Sequence, residues 1–180
     1  MASYRDIHRP VSFAGGSETL LFGTIARRLH IEGYTEADAE HMDLPEYQRG
    51  HVWTAAQQEA FVGHMLEGGA TPIVIFNRDE KYTAPDEVVD GKQRITAIGA
   101  WIQGEIAAEL TDGSRVYLSD FNASDQRQIM GISGPHIQCG YVILDRVDVL
   151  RLYLRLNRGG TIHTEDEIDR VRGLLAKETT

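Results

Sequence analysis

Apolar side chains recur at helical spacing in several stretches of the chain. Ser17 opens one such stretch, with Leu20, Leu21, Ile25 and Leu29 on one face, which predicts a helix closing near Gly33. Thr54 and Gln57 form a capping box ahead of an apolar stripe that ends at Gly68 and Gly69, so a second helix is expected there. Further helices are predicted over 92–103, near 125–130, over 148–156, and in a terminal segment from Thr164 to Leu175.

Short segments with strand character separate these helices. The fully apolar run at 72–76 is most simply a buried strand, and further strands are predicted over 86–90 and 136–144. Short strands mixed with helices predict an α+β domain with a small mixed sheet flanked by helices. We interpret residues 1–180 as one domain, with 1–16 as an N-terminal arm.

Composition narrows the class of protein. The single cysteine, Cys139, excludes a disulfide within the chain and is expected to be a buried, inert thiol. No apolar stretch approaches the ~20 residues that span a bilayer, and the polar N-terminus is unlike a signal peptide. A cytoplasmic protein without a membrane partner is therefore expected. The histidines lack the spacing of a zinc site, and no Walker-type loop is present.

The net charge of −9 bears on partners. With 27 acidic and 18 basic side chains, bulk attraction to DNA is not the expected mode of action. Any contact with DNA would require a local basic patch or another subunit.

The most informative segment is VDGKQR at residues 89–94, where a short strand stops and a helix begins. This geometry directs backbone N–H groups and the positive end of the helix dipole towards one point, which a phosphate can occupy. Arg94 can add a bidentate guanidinium, and Lys92 a second positive charge. Asp90 is either a helix cap or a metal-binding carboxylate. Simple capping is the alternative, although it does not explain two cations in the first turn.

Three segments together resemble the DUF262 family, which forms the N-terminal domain of GmrSD-type restriction enzymes. They are LPEYQRGHVW at 44–53, VDGKQR at 89–94 and LNRGGTIHTEDE at 156–167, and they occur in the family's order. Lys92 stands where the family usually has Gln. The nuclease domain that such enzymes usually carry is not recognisable in this sequence, so nuclease action by this chain is not expected.

The resemblance implies a ParB/sulfiredoxin-like fold with a nucleotide-binding site that uses Mg²⁺. It implies that Gly91 and Arg94 hold the phosphates and that Asp90 is a Mg²⁺ ligand or a base. Residues at matching positions would complete the site: Lys92, Gln93, Gln48, Arg49, Asn157 and Arg158.

The hypothesis from these patterns is an NTP-binding enzyme that cleaves or transfers the terminal phosphate in a bacterial or bacteriophage DNA modification or restriction system. The base of the nucleotide and the acceptor stay open: water would make the chain an NTPase, and a hydroxyl group a kinase. A separate nuclease or modification subunit is a possible partner. Two alternatives are a non-catalytic nucleotide- or DNA-sensing module and an anti-restriction decoy. For the enzyme, we expect Arg94→Ala to abolish turnover while leaving the melting temperature nearly unchanged.

Overall fold

The computed structural model describes residues 13–34, 41–45, 53–79, 81, 84–156 and 165–178. The described strands are β1 (Phe13–Leu21), β2 (Met42–Asp43), β3 (Val74–Asn77), β4 (Asp86–Asp90), β5 (Ala108–Glu109), β6 (Arg115–Val116) and β7 (His136–Val142). The described helices are α1 (Phe22–Arg28), α2 (Ala55–Leu66), α3 (Lys92–Ile102), α4 (Ala123–Met130), α5 (Arg146–Leu156) and α6 (Glu165–Glu178), with a 3₁₀ turn at Leu118–Asp120.

Five strands form one mixed sheet in the order β1-β7-β3-β4-β2. Strand β7 runs antiparallel to β1 and parallel to β3, while β4 is antiparallel to β3 and parallel to β2. Strands β5 and β6 pair in a separate two-stranded sheet. The predicted α+β class with a small mixed sheet is confirmed.

The sheet is buried on both faces, which explains the uninterrupted apolar run at 72–76 that supplies most of β3. On one face Phe76 and Val88 pack with α1, α2 and α3 in the larger core cluster. On the other face Ile75 and Val89 pack against α5 and α6. Neighbouring residues of a strand point to opposite faces, so a sheet covered on both sides selects an uninterrupted run.

The N-terminal prediction was wrong in one respect. Ser17 to Leu21 belong to β1 rather than to a helix, and helix α1 begins only at Phe22. Leu20 is opposite Ile137 of β7, and both side chains are buried. Strand pairing thus overrides the helical spacing of the leucines. The predicted arm at 1–16 consequently overlaps β1, and its first twelve residues lie outside the described part of the chain.

Helix α3 is packed more deeply than its sequence pattern indicates. The apolar spacing over 92–103 predicts that Ile95 and Ile98 face inward and that Trp101 lies on the flank of the helix, yet all three side chains are fully buried. The Trp101 ring meets Phe22 edge-on at 6.1 Å, and its Nε1 donates to the Val116 carbonyl oxygen at 3.0 Å. These contacts hold the C-terminal end of α3 against α1 and β6.

Candidate functional site

A glycine forms the turn between β4 and α3. The strand ends at Asp90, Gly91 is the N-cap of α3 with φ +106°, and the helix begins at Lys92. A Cβ atom at Gly91 would lie 2.7 Å from Val74 Cγ2, so both the backbone conformation and the available space require glycine. Because the N-cap residue is glycine, it has no side chain to cap this helix. The turn therefore has the geometry in which first-turn N–H groups donate hydrogen bonds to an anion.

The sequence allows Asp90 to be either a helix cap or a metal-binding carboxylate, and the structure shows that it is not the cap. Its Oδ2 atom accepts a hydrogen bond from Arg94 Nη2 at 2.7 Å. The carboxylate is 39% exposed, so solvent or a ligand can reach it, whereas the Arg94 side chain is 10% exposed. Asp90 thus orients the guanidinium and keeps an accessible edge of its own.

Arg94 makes a second hydrogen bond that links the turn to a neighbouring loop. Its Nη1 atom donates to the Pro72 carbonyl oxygen at 2.6 Å, just before β3 begins. These two bonds use two of the five N–H donors of a guanidinium. Arg94 is therefore fixed in place, and its remaining donors have no partner among the described residues.

Lys92 and Gln93 contact the segment that carries the first sequence motif. The Lys92 ammonium donates to the Pro45 carbonyl oxygen at 3.2 Å, and Gln93 Oε1 accepts from the Trp53 backbone N–H at 3.2 Å. Both ends of the stretch between Pro45 and Trp53 thus meet the first turn of α3. The sequence predicts that Lys92 adds positive charge to a phosphate site. In the structure its ammonium group contacts the backbone carbonyl oxygen of Pro45.

The structure brings together Asp90, Gly91, Lys92, Gln93 and Arg94 in one turn. The other predicted site residues, which are Gln48, Arg49, Asn157 and Arg158, lie outside the described residues. Trp53 is partly buried and packs on Phe61 with ring centroids 5.2 Å apart, which supports a role in the core.

The turn could bind Mg²⁺ only if a ligand supplied further oxygen atoms to the metal. Across the described residues, no group of three His, Cys, Asp or Glu side chains is placed to hold a metal ion. Mg²⁺ is commonly bound by one or two carboxylates together with substrate phosphates. The accessible Asp90 carboxylate fits that arrangement.

A cleft of about 730 Å³ lies at the same end of the sheet as Asp90. At this end β4 finishes while β3 and β7 begin. The loop that carries Thr71 forms one wall, and α4 with the loop before His136 forms another. Sequence analysis missed the cleft, because its lining comes from segments that are far apart in the chain and carry no motif.

A buried ionic network at the opposite end of β4 was also missed. Asp86 accepts two hydrogen bonds from Arg78, at 2.9 and 2.7 Å, and one from Arg28 at 3.4 Å. The Tyr141 hydroxyl accepts from Arg28 and donates to Glu18 Oε2 at 2.7 Å. These partners are up to 123 positions apart in the sequence, so no spacing identifies them.

The network perturbs the ionisation of its members. The hydrogen bonds that Arg78 donates to Asp86 hold the pKa of Arg78 above its ordinary value. Burial, assisted by the hydrogen bond to Glu18, raises the pKa of Tyr141 well above that of a free tyrosine. Burial also raises the pKa of Cys139, in keeping with the inert thiol that the sequence predicts.

The model of one protein family matches most of the chain. It is the family described as the GmrSD restriction endonuclease, N-terminal domain, and it covers residues 31–169. Comparisons with curated proteins and with solved structures give no significant match. Among the described helices, none has the length and apolar character to cross a membrane.

Proposed function

Since the chain belongs to the family of the GmrSD restriction endonuclease N-terminal domain, we propose that it acts on an NTP in a restriction or defence system. It binds the nucleotide at the turn between β4 and α3 and cleaves or transfers the terminal phosphate. The observation that carries this proposal is the uncapped α3 N-terminus at Gly91, with the Arg94 guanidinium fixed beside it.

Each group of the turn has a chemical role in this proposal. The first-turn amides of α3 bind phosphate oxygens, as helix N-termini do elsewhere. The N–H donors of Arg94 that Asp90 and Pro72 do not use stabilise charge on the transferred group. Asp90 would hold Mg²⁺ together with the phosphates, and the metal would neutralise their charge. The acceptor, water or a hydroxyl group, forms a bond to the terminal phosphorus as the bond to the bridging oxygen breaks.

Residues outside the described part of the chain belong to the proposal through the family motifs. Gln48 and Arg49 would reach the phosphates from the segment whose ends contact Lys92 and Gln93. Asn157 and Arg158 would contact the nucleotide from the third motif. The ParB/sulfiredoxin-like fold also stays a proposal, supported by the mixed sheet and by a strand that leads directly into a helix at a glycine.

The cellular setting is proposed from the family and the charge. A cytoplasmic location in bacteria, or in a bacteriophage-infected cell, follows from the restriction context. The net charge of −9 favours contact with DNA through a local patch or through a separate nuclease or modification subunit.

One observation favours a second candidate, a nucleotide sensor without turnover. Arg94 is largely buried, and Asp90 is already paired with it, so the two charges offset each other before any ligand binds. Such a site can bind phosphates through backbone amides without activating an acceptor. A sensor would show saturable nucleotide binding and no phosphate release.

Incubation of γ-labelled NTPs with Mg²⁺, with and without plain and hydroxymethylated DNA, separates these functions. We expect free phosphate from an NTPase and labelled DNA from a DNA kinase, with either product lost in Asp90→Asn and Arg94→Lys. Asp169→Asn is a matched control, since it removes the carboxylate of an exposed ion pair with Arg172 in α6. Binding without any release would replace the enzyme by the sensor, and full turnover by Asp90→Asn would contradict the assigned site.

A further inference from the structure

The cleft beside the turn has a composition suited to a flat, uncharged ring. Apolar side chains supply much of its lining, among them Leu66, Phe121, Ile129 and Pro135. Its volume of about 730 Å³ lies within the usual range of small-molecule sites, roughly 300–1,000 Å³. A ring of heteroaromatic type can be sandwiched between such walls.

Charge excludes phosphate from this cleft. Its described lining contains no Lys or Arg, while Glu67 and Asp125 contribute carboxylates. Both carboxylates already accept hydrogen bonds, from Thr111 and from Asn122 respectively. They therefore repel anions without requiring a cation as a partner.

The walls of the cleft are held in place before any ligand arrives. On one wall, Glu67 accepts from Thr111, and His64 Nε2 lies 2.9 Å from the Ala70 carbonyl oxygen. On the other wall, Gly134 packs so closely that a Cβ atom would lie 2.1 Å from the Ile129 carbonyl oxygen. A preformed cavity of this kind binds a ligand without the entropic cost of ordering its walls.

Polar groups remain available inside the cleft. The side-chain amide of Gln128 makes no hydrogen bond to another described residue, and it offers both a donor and an acceptor. His136 is near the Gly134 carbonyl oxygen through Nδ1, at 3.3 Å, which leaves Nε2 for a ligand. Donors and acceptors side by side match the edge of a nucleobase.

The cleft and the proposed phosphate-binding turn both adjoin the loop before β3. Arg94 bonds the carbonyl oxygen of Pro72, and the preceding residue, Thr71, lines the cleft. We infer that this cleft holds the base of the nucleotide whose phosphates bind at the turn, which rests on the function proposed above. The two halves of the ligand then occupy regions of opposite character, an acidic and apolar cleft and an uncapped helix N-terminus.

The test separates the two halves of the ligand by calorimetry in the presence of Mg²⁺. The probes are the four NTPs, the four nucleosides and inorganic tripolyphosphate. Gln128→Trp places a large side chain into the cleft from an exposed position, and Gln128→Ala removes only the amide. Ala123→Trp, on the opposite face of α4, is the matched control. Melting temperatures verify that each variant is folded.

We expect Gln128→Trp to lower the affinity for the preferred NTP and for its nucleoside about tenfold or more, which is ~1.4 kcal/mol. The affinity for tripolyphosphate should be unchanged. Gln128→Ala should show a smaller loss of the same kind, and Ala123→Trp none. Arg94→Lys should lower the affinity for tripolyphosphate and for the NTP, and it should leave the affinity for the nucleoside unchanged.

Other results have distinct meanings. Wild-type affinity of a folded Gln128→Trp variant for the NTP would overturn the inference. If the wild type binds a nucleoside but not tripolyphosphate, and Gln128→Trp no longer binds the nucleoside, the cleft assignment stands and the proposed phosphate site fails. If single-stranded DNA binds through the cleft and no nucleoside or NTP does, the base belongs to DNA and our assignment to a nucleotide is wrong.

Discussion

Arg94 serves the fold as well as the proposed site. It is buried and holds both Asp90 and the loop before β3, so its removal leaves a carboxylate and a carbonyl oxygen without their partner. This revises the expectation from sequence that Arg94→Ala would spare stability. The alanine variant cannot separate a structural role from a functional one.

We therefore predict that Arg94→Ala lowers the free energy of unfolding by about 2–3 kcal/mol, the loss of a charge-assisted hydrogen bond and its neighbour. Arg94→Lys should lose less, because an ammonium can keep one of the two contacts. Urea denaturation measures both variants. Equal stability of Arg94→Ala and the wild type would show that the two hydrogen bonds do not hold the turn.

Gly91 permits a sharper test, because the chain contains a matched glycine. Gly91→Ala places a Cβ atom against Val74 in a backbone with positive φ, so we predict a loss of about 2–4 kcal/mol in the free energy of unfolding. Gly104→Ala has a positive φ of +76° and open space around its Cβ, so it should lose only the conformational part, about 1 kcal/mol. Similar losses in the two variants would mean that the close approach to Val74 is relieved by relaxation.

At the scale of single elements, the first turn of helix α3, which belongs to the second motif, connects the first motif segment with the loop before β3. The Trp53 N–H donates to Gln93 Oε1, whereas the N–H of the next residue, Thr54, donates to Gln57 in the confirmed capping box. These two amides are adjacent in the chain but donate to different side chains. The Thr54 amide is therefore an internal control for the Trp53 amide.

Gln93→Leu should therefore raise the hydrogen-exchange rate of the Trp53 amide about tenfold and leave that of Thr54 near its wild-type value. The change reflects the loss of one hydrogen bond at the N-terminal end of α2. Amide exchange followed by NMR measures both rates in one experiment. An unchanged Trp53 rate would show that α3 does not restrain this segment.

Local patterns predicted the elements whose boundaries are set locally. Strand β4 over 86–90, the start of α3 at Lys92, and the capping box of α2 all follow from turn residues and spacing, and the structure confirms them. The strand at 17–21 was missed because its pairing partner, β7, is more than a hundred positions away. The bonds of Arg94 to Pro72 and of Lys92 to Pro45 escaped for the same reason, since tertiary packing alone creates them.

At the scale of the whole molecule, β4 joins two unlike polar centres. Asp90 at its end belongs to the proposed site, and Asp86 at its start belongs to the buried network with Arg28 and Arg78. The network ties β1, α1, β4 and β7 through side chains that are largely removed from water, apart from the half-exposed Glu18. Removing one partner of such a buried ionic group is expected to be strongly destabilising.

Tyr141 makes the stability of the whole fold depend on pH. Its pKa is raised in the folded state, so the unfolded chain releases this proton first as the pH increases. The contribution of Tyr141 to the free energy of unfolding is thus fully present below about pH 10, the ordinary pKa of tyrosine. It declines as the pH rises above that value. Tyr141→Phe should be less stable near neutral pH, because it loses the bonds to Glu18 and Arg28, and should show a shallower alkaline decline. Denaturation midpoints between neutral and alkaline pH test this, and an equally steep decline in both proteins would contradict it.

The central claim is that the turn at Gly91 binds the phosphates of a nucleotide, and one titration tests it most directly. Inorganic tripolyphosphate is added to the isotopically labelled protein, and the backbone amide signals are followed by NMR. We predict saturable shifts that are largest at Lys92, Gln93 and Arg94, because these first-turn N–H groups point at the bound anion. Shifts that are absent at these three amides, or that are largest elsewhere, would contradict the account.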